Sequence, residues 1–267
     1  MYNHFQLGLK YLKYFFTASN GRGHGIHSPF VFEFIEQILL PSHKNKSVFK
    51  KIENTRRAYI AETNLFVDVV DLGAGSVSKS GSRRSIAQIA KSAAKYPKYA
   101  RLLHCMVEYF AVASVLELGT SLGLTTRYLA TASEVVRVQT IEGAPAIADI
   151  SRKAFGEEGF KNIDVLVGDF DSKLPEALSK MTGRKMFFFD GNHQYEPTIR
   201  YFEDVIKTCN EEDILVFDDI HWSKGMEKAW QEIKKNERVS CSIDLFFIGI
   251  VFLRKEFKEK LDFAIRF

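Results

Sequence analysis

From Ser114 onward the chain alternates short apolar runs that end on an acid or a glycine with stretches carrying apolar residues at three- and four-residue spacing. Strands that alternate with helices pair in parallel through helical crossovers, which build a sheet covered by helices on both faces. The runs predict strands at 114–119, 136–142, 163–167, 185–190 and 213–218, with helices at 122–132, 145–155, 173–181 and 197–208. A further helix, 224–236, precedes apolar runs at 239–245 and 247–254, which lie too close together for a crossover and must pair antiparallel. The expectation is an α/β fold over 112–267, a doubly wound, mostly parallel sheet of seven strands.

Residues 1–111 read as a helical extension or cap, with helices at 5–18, 29–40, 47–62, 85–95 and 97–110. Ser28-Pro29 has the form of an N-cap followed by proline at the first helical position. With 46% hydrophobic residues and a formal charge of +4, from 37 Lys plus Arg against 33 Asp plus Glu, the composition excludes a disordered chain. The charge is too mild to imply nucleic acid, although Lys79, Arg83, Arg84, Lys91, Lys95, Lys98 and Arg101 crowd one stretch. No apolar run is long enough to span a bilayer, and MYNHFQLGLKYLKYFF reads as an amphipathic helix rather than a signal peptide. Cys105, Cys209 and Cys241 stand far apart, as buried thiols of a reducing compartment do. A cytoplasmic protein without a membrane partner is expected.

In open α/β sheets ligands bind outside the carboxyl ends of the strands, so those ends mark the site. The first ends in LELGTSLGLTT, where Gly119, Thr120, Ser121 and Gly123 form a tight turn, with Glu117 before it and Thr125 and Thr126 opening a helix. The next ends at Glu142-Gly143, 142 − 117 = 25 residues after Glu117, where a carboxylate can accept both hydroxyls of a ribose. The third ends in Gly168-Asp169-Phe170, a carboxylate for an exocyclic amine and a ring for a purine. A dinucleotide-dependent oxidoreductase would need a glycine facing the pyrophosphate where this chain has Ser121, so the turn suits a nucleoside ligand without phosphates.

These motifs resemble the class I S-adenosylmethionine-dependent methyltransferases, whose first motif is E/D-x-G-x-x-x-G, over residues 112 to 254. The resemblance implies a Rossmann-like fold in which Glu117 and the turn Gly119, Thr120, Ser121 and Gly123 hold the methionine part. Glu142 and Gly143 would then take the ribose, and Asp169 and Phe170 the adenine. MFFFDGNHQYEPT and ILVFDDIHW narrow it to O-methyltransferases of the catechol and macrolide-sugar type, the D-G-x-H then D-D variant. There Asp190 serves both the cofactor side and catalysis, His193 is the base, and Asp190, Asp218 and Asp219 are the candidate ligands of a divalent cation, Mg²⁺. The implied partner is a small-molecule acceptor, and a homodimer is expected by the same resemblance. The rival functions are an RNA or protein methyltransferase and a non-catalytic cofactor-binding scaffold.

Three features lie outside this frame. VVDLGAGS, residues 69–76, looks like a second glycine turn, but no strand ending in an acid appears about 20 residues after it, so it is read as a surface turn or lid. GHGIHSPF, with His24 and His27, resembles a segment of bacterial methyltransferase-like proteins, notably from Bacteroidetes. His221 and Trp222 are expected to wall the substrate pocket, and Tyr195 to touch substrate or packing.

Overall fold

The computed structural model describes residues 1–23, 26–42, 44, 46–69, 82–92 and 95–267. His24 and the glycine loop 71–81 lie outside the described residues. The fold is α/β, with a mostly parallel main sheet of eight strands and flanking helices. The chain separates into two compact units, residues 42–183 and residues 1–41 with 184–267.

In the 42–183 unit, α4 (Ser47–Ala61) leads into an antiparallel hairpin of β1 (Phe66–Val69) and β2 (Ser82–Ser85), followed by α5 (Ile86–Ser92) and α6 (Pro97–Tyr109). Then β3 (Ser114–Leu118), α7 (Leu124–Ala130), β4 (Arg137–Glu142), α8 (Pro145–Glu157), β5 (Ile163–Val167) and α9 (Phe170–Ser179) alternate. The strands β3, β4 and β5 lie parallel in that order, with Leu118 paired to Ile141 and Ile141 to Leu166. All five residues of β3 are buried, as in a strand covered on both faces. Phe49 and Ile52 of α4, Ala100 of α6, and Leu124 and Tyr128 of α7 form one apolar cluster beside this sheet.

The other unit opens with α1 (His4–Thr17), closed by an Asn3/Gln6 capping box, and α2 (Pro29–Phe34), capped by Ser28 as expected. The helix expected over 29–40 is broken into α2, a π-helical turn at Ile35–Leu39 and the single turn α3 (Leu40–Ser42). Pro41 explains the break, since it has no N–H for the ladder and its ring crowds the carbonyl one turn before it. Next come β6 (Lys185–Phe189), α10 (Tyr195–Lys207), β7 (Ile214–Asp218), α11 (Lys224–Lys235), β8 (Cys241–Asp244), β9 (Ile248–Phe252) and β10 (Leu261–Ala264). They order as β6-β7-β9-β8-β10: β6 is parallel to β7, β9 antiparallel to both β7 and β8, and β10 parallel to β8. The phenylalanines of MFFFD are core, with Phe189 stacked on Phe217 at 4.4 Å between centroids.

Two elements exceed the expectation. β10 is an eighth strand of the main sheet, carried by Leu261, Phe263 and Ile265 at period two after a polar stretch. The β1–β2 hairpin falls where a loop was expected, because SRRS lacks any apolar alternation; its pairing places Arg83 opposite Asp68 and over the Phe66 ring.

Candidate active site

Glu117, the penultimate residue of β3, is fully buried, and one carboxylate oxygen, Oε2, accepts hydroxyls from Thr126 and from Thr140 at 2.7 Å. Its other oxygen, Oε1, is buried without a hydrogen-bond partner among the described residues. Burial, foremost, raises the Glu117 pKa to about 7, the two threonine hydroxyls oppose it, and the charge of Glu142 adds to it. A buried carboxyl with one oxygen unanswered is poised for a donor, and a cationic donor would favour its charged form.

The glycine turn is fixed from two sides. Gly119 and Thr120 donate their N–H groups to the Ile141 carbonyl, and the Thr120 hydroxyl meets that of Thr140 at 2.7 Å. Ser121 takes a left-handed φ of 49°, and its N–H points to Glu142 Oε2 at 2.8 Å. Gly123, at φ 68°, caps α7 and lies so close to the Phe155 ring that a β-carbon would collide with it. Arg127, wholly buried, donates to the carbonyls of Leu122 and Gly123 and forks onto Glu158. The sequence signal for this clamp is an arginine in LTTRYLA, four residues after Gly123 in the helix that the turn opens.

Glu142 is mostly buried, and its second oxygen, Oε1, accepts the Ala144 N–H at 2.9 Å. Burial, the largest influence, raises its pKa, against the backbone N–H groups of Ala144, Ser121 and Gly143. A carboxylate has about four acceptor positions, so these backbone N–H groups leave room for a further donor such as a hydroxyl. Asp169, exposed, spends its carboxylate on capping α9, accepting from Ser172 N at 2.8 Å and Ser172 Oγ at 2.9 Å. Those two contacts hold its pKa low, the backbone one first. Phe170 is half-buried at the first position of α9.

In the other unit, β6 ends beside Asp190 and β7 ends in Asp218. The donor atoms of Asp190, His193 and Asp218 lie within 4.8 Å of one another. Asp219, expected as a ligand, falls outside this group: at φ 53° it turns the chain, and its N–H donates to the Phe247 carbonyl at 2.7 Å. Two carboxylates and an imidazole suit a divalent cation by donor chemistry, and they equally suit a carboxylate-oriented imidazole that accepts a proton.

His221 holds a network rather than standing alone. One ring nitrogen, Nε2, lies 2.8 Å from Asp244 and the other, Nδ1, 3.2 Å from Glu227, which also receives Lys10 and Tyr2. Burial pushes its pKa down, but the hydrogen bond and charge of Asp244, then Glu227, outweigh it and the net shift is upward. The ring stacks on Phe246 at 5.0 Å, and the Trp222 carbonyl accepts the Tyr2 N–H. Tyr195 bonds Glu232 and lies under Lys228, so packing accounts for it. His27, one residue before the Ser28 cap of α2, is exposed.

Residues 116–220 match the family model described as a methyltransferase domain, a span that runs from the strand of Glu117 past Asp218 and Asp219. No curated protein matches the chain. Among solved structures, an O-methyltransferase from Bacillus cereus in complex with SAH is 18% identical with a TM-score of 0.55, covering 84% of this chain and 97% of its own. An SAH-bound methyltransferase from Podospora anserina is 11% identical with a TM-score of 0.59, covering 86% and 97%. The O-methyltransferase of tomaymycin synthesis from Streptomyces achromogenes, in complex with SAM, is 17% identical with a TM-score of 0.54, covering 82% and 96%. At such identities the likeness establishes a shared fold.

Proposed function

With a methyltransferase domain over residues 116–220 as the premise, we propose that the chain transfers a methyl group from S-adenosylmethionine to a hydroxyl oxygen of a small molecule. The observation that carries this reading is Glu117, buried beneath a glycine turn with one carboxylate oxygen unanswered, because the ammonium of an amino acid ligand supplies that missing donor. Glu142 then accepts the ribose hydroxyls on its remaining lone pairs, and Phe170 lies against the adenine. Gly119, Thr120, Ser121 and Gly123 give the methionine part a close backbone approach. We keep residues 1–111 as an extension that shapes the acceptor site and 112–267 as the catalytic domain.

When bound, S-adenosylmethionine supplies an electrophilic sulfonium methyl: the acceptor oxygen forms the new C–O bond as the C–S bond breaks, leaving S-adenosylhomocysteine. His193 accepts the hydroxyl proton on a ring nitrogen near neutral pH, and Asp190 orients its imidazole. A divalent cation, Mg²⁺ by the hardness of the carboxylates, would be held by Asp190 and Asp218, and His193 stays the base rather than a ligand. It would supply charge to lower the acceptor hydroxyl's pKa.

The test is methyl transfer from radiolabelled S-adenosylmethionine to a panel of phenols, sugars and, as a contrast, tRNA, each with Mg²⁺ and with chelator. Transfer to a small hydroxyl, lost in His193→Ala, supports the reading. Transfer confined to tRNA, or none to any hydroxyl while the cofactor binds, overturns it.

A further inference from the structure

Helix α1 has two apolar faces, and the chain uses one. Tyr14 and Ala18, with Leu7 and Tyr11, pack on Phe246 and Phe247. Lys10 and the Tyr2 hydroxyl reach Glu227 at 2.9 and 2.7 Å, and the Tyr14 hydroxyl bonds the Ile265 carbonyl, so the helix is fastened along its length. The opposite face carries Phe5, Leu9, Leu12 and Phe16, at a spacing of four, three and four, and they are 74%, 52%, 52% and 80% exposed. An ordered stripe of large apolar side chains held outward by a fastened helix exceeds the scattered exposure of an ordinary surface.

The charge around the stripe selects its occupant. No Asp or Glu precedes Glu33, whereas Lys10, Lys13 and Arg22 lie in that segment, with His4 beside Phe5. Lys10 is engaged with Glu227, but Lys13 and Arg22 are exposed. Against a second copy of the same helix these cations would meet their own kind, and a 14-residue helix offers a short seam. Against an anionic lipid surface, the same cations meet phosphate while the phenylalanines and leucines enter the boundary between headgroup and acyl chain.

We infer that α1 is an in-plane membrane contact, which docks the protein on anionic lipid through Phe5, Leu9, Leu12 and Phe16. No described helix is long and apolar enough to cross a membrane, so the contact is peripheral. Binding is therefore reversible and weakened by salt, and it would bring the domain to an acceptor that partitions into lipid.

The experiment is co-sedimentation of the full chain with phosphatidylcholine vesicles, with and without phosphatidylserine, across a salt series. The wild type pellets with the anionic vesicles, and Phe5→Ser with Phe16→Ser lowers its partitioning by about tenfold per residue. Both side chains point to solvent, and a thermal melt of the variant equal to wild type shows that the fold is kept. Failure of the wild type to pellet, or equal pelleting on neutral vesicles, overturns the inference. So does a dimer of the wild type that the same two changes dissociate, since a second copy would then cover the face.

Discussion

Replacing Glu117 by Gln tests the electrostatics of the first strand end. In the folded chain the carboxyl is wholly buried and its pKa stands at about 7, against 4.5 for an ordinary glutamate. The difference, about 7 − 4.5 = 2.5 units, corresponds to roughly 3 kcal/mol at about 1.4 kcal/mol per unit. Below pH 4.5 the group is protonated in both states and costs nothing. As pH rises from 4.5 to about 7 the unfolded chain ionises first, so stability falls through that window and levels off above it. Gln is nearly the same shape and has no proton to lose. Urea unfolding of the ligand-free proteins at pH 4.5, 6 and 8 should show the wild type losing roughly 3 kcal/mol more than Glu117→Gln across the series, other groups cancelling in the comparison. The same variant should bind S-adenosylmethionine more weakly, because the amide cannot offer a negative charge to an ammonium. Parallel pH profiles in the two proteins would refute the burial argument.

Gly123→Ala places a β-carbon against the Phe155 ring at φ 68°, so a loss on the order of 2–4 kcal/mol is expected in chemical denaturation. A loss under about 0.5 kcal/mol would show that the turn is pliable. Arg127→Met leaves the Leu122 and Gly123 carbonyls and Glu158 without their shared donor. It should lower thermal stability and weaken cofactor binding together; unchanged binding would separate the clamp from the site. Asp218→Asn should abolish any Mg²⁺ stimulation of methyl transfer while leaving cofactor affinity within about threefold, and stimulation that persists would remove Asp218 from the cation site. His193→Gln should lower kcat at least about a hundredfold while leaving cofactor affinity within about threefold, and an unaltered kcat would exclude it as the base.

What the sequence made legible follows the strength of the local patterns. Five strands of the main sheet are nearly continuous apolar runs ending in an acid or glycine, so β3, β4, β5, β6 and β7 were placed within a residue or two, and the spacing of the last two apolar runs foretold an antiparallel pair. β10 was lost because its period-two residues follow the polar run 254–260, and the hairpin of β1 and β2 because SRRS is stabilised by cross-strand partners rather than by burial. At the candidate site, residue type and spacing single out Glu117, Glu142, Asp190, His193 and Asp218, whereas the contacts each side chain makes are visible only in the geometry. Asp169 caps α9, Asp219 turns the chain with a left-handed φ, and Arg127 is buried within α7. The outward face of α1 was invisible for a related reason: periodicity shows that a helix has an apolar stripe but not which stripe its own fold covers.

The most direct measurement is calorimetric titration of S-adenosylmethionine and S-adenosylhomocysteine into the wild type and into Glu142→Ala, with thermal melts to confirm that both are folded. The account predicts one-site binding of both ligands by the wild type and a loss of at least about tenfold in the variant, whose ribose acceptor is gone. A folded wild type that binds neither ligand would contradict it.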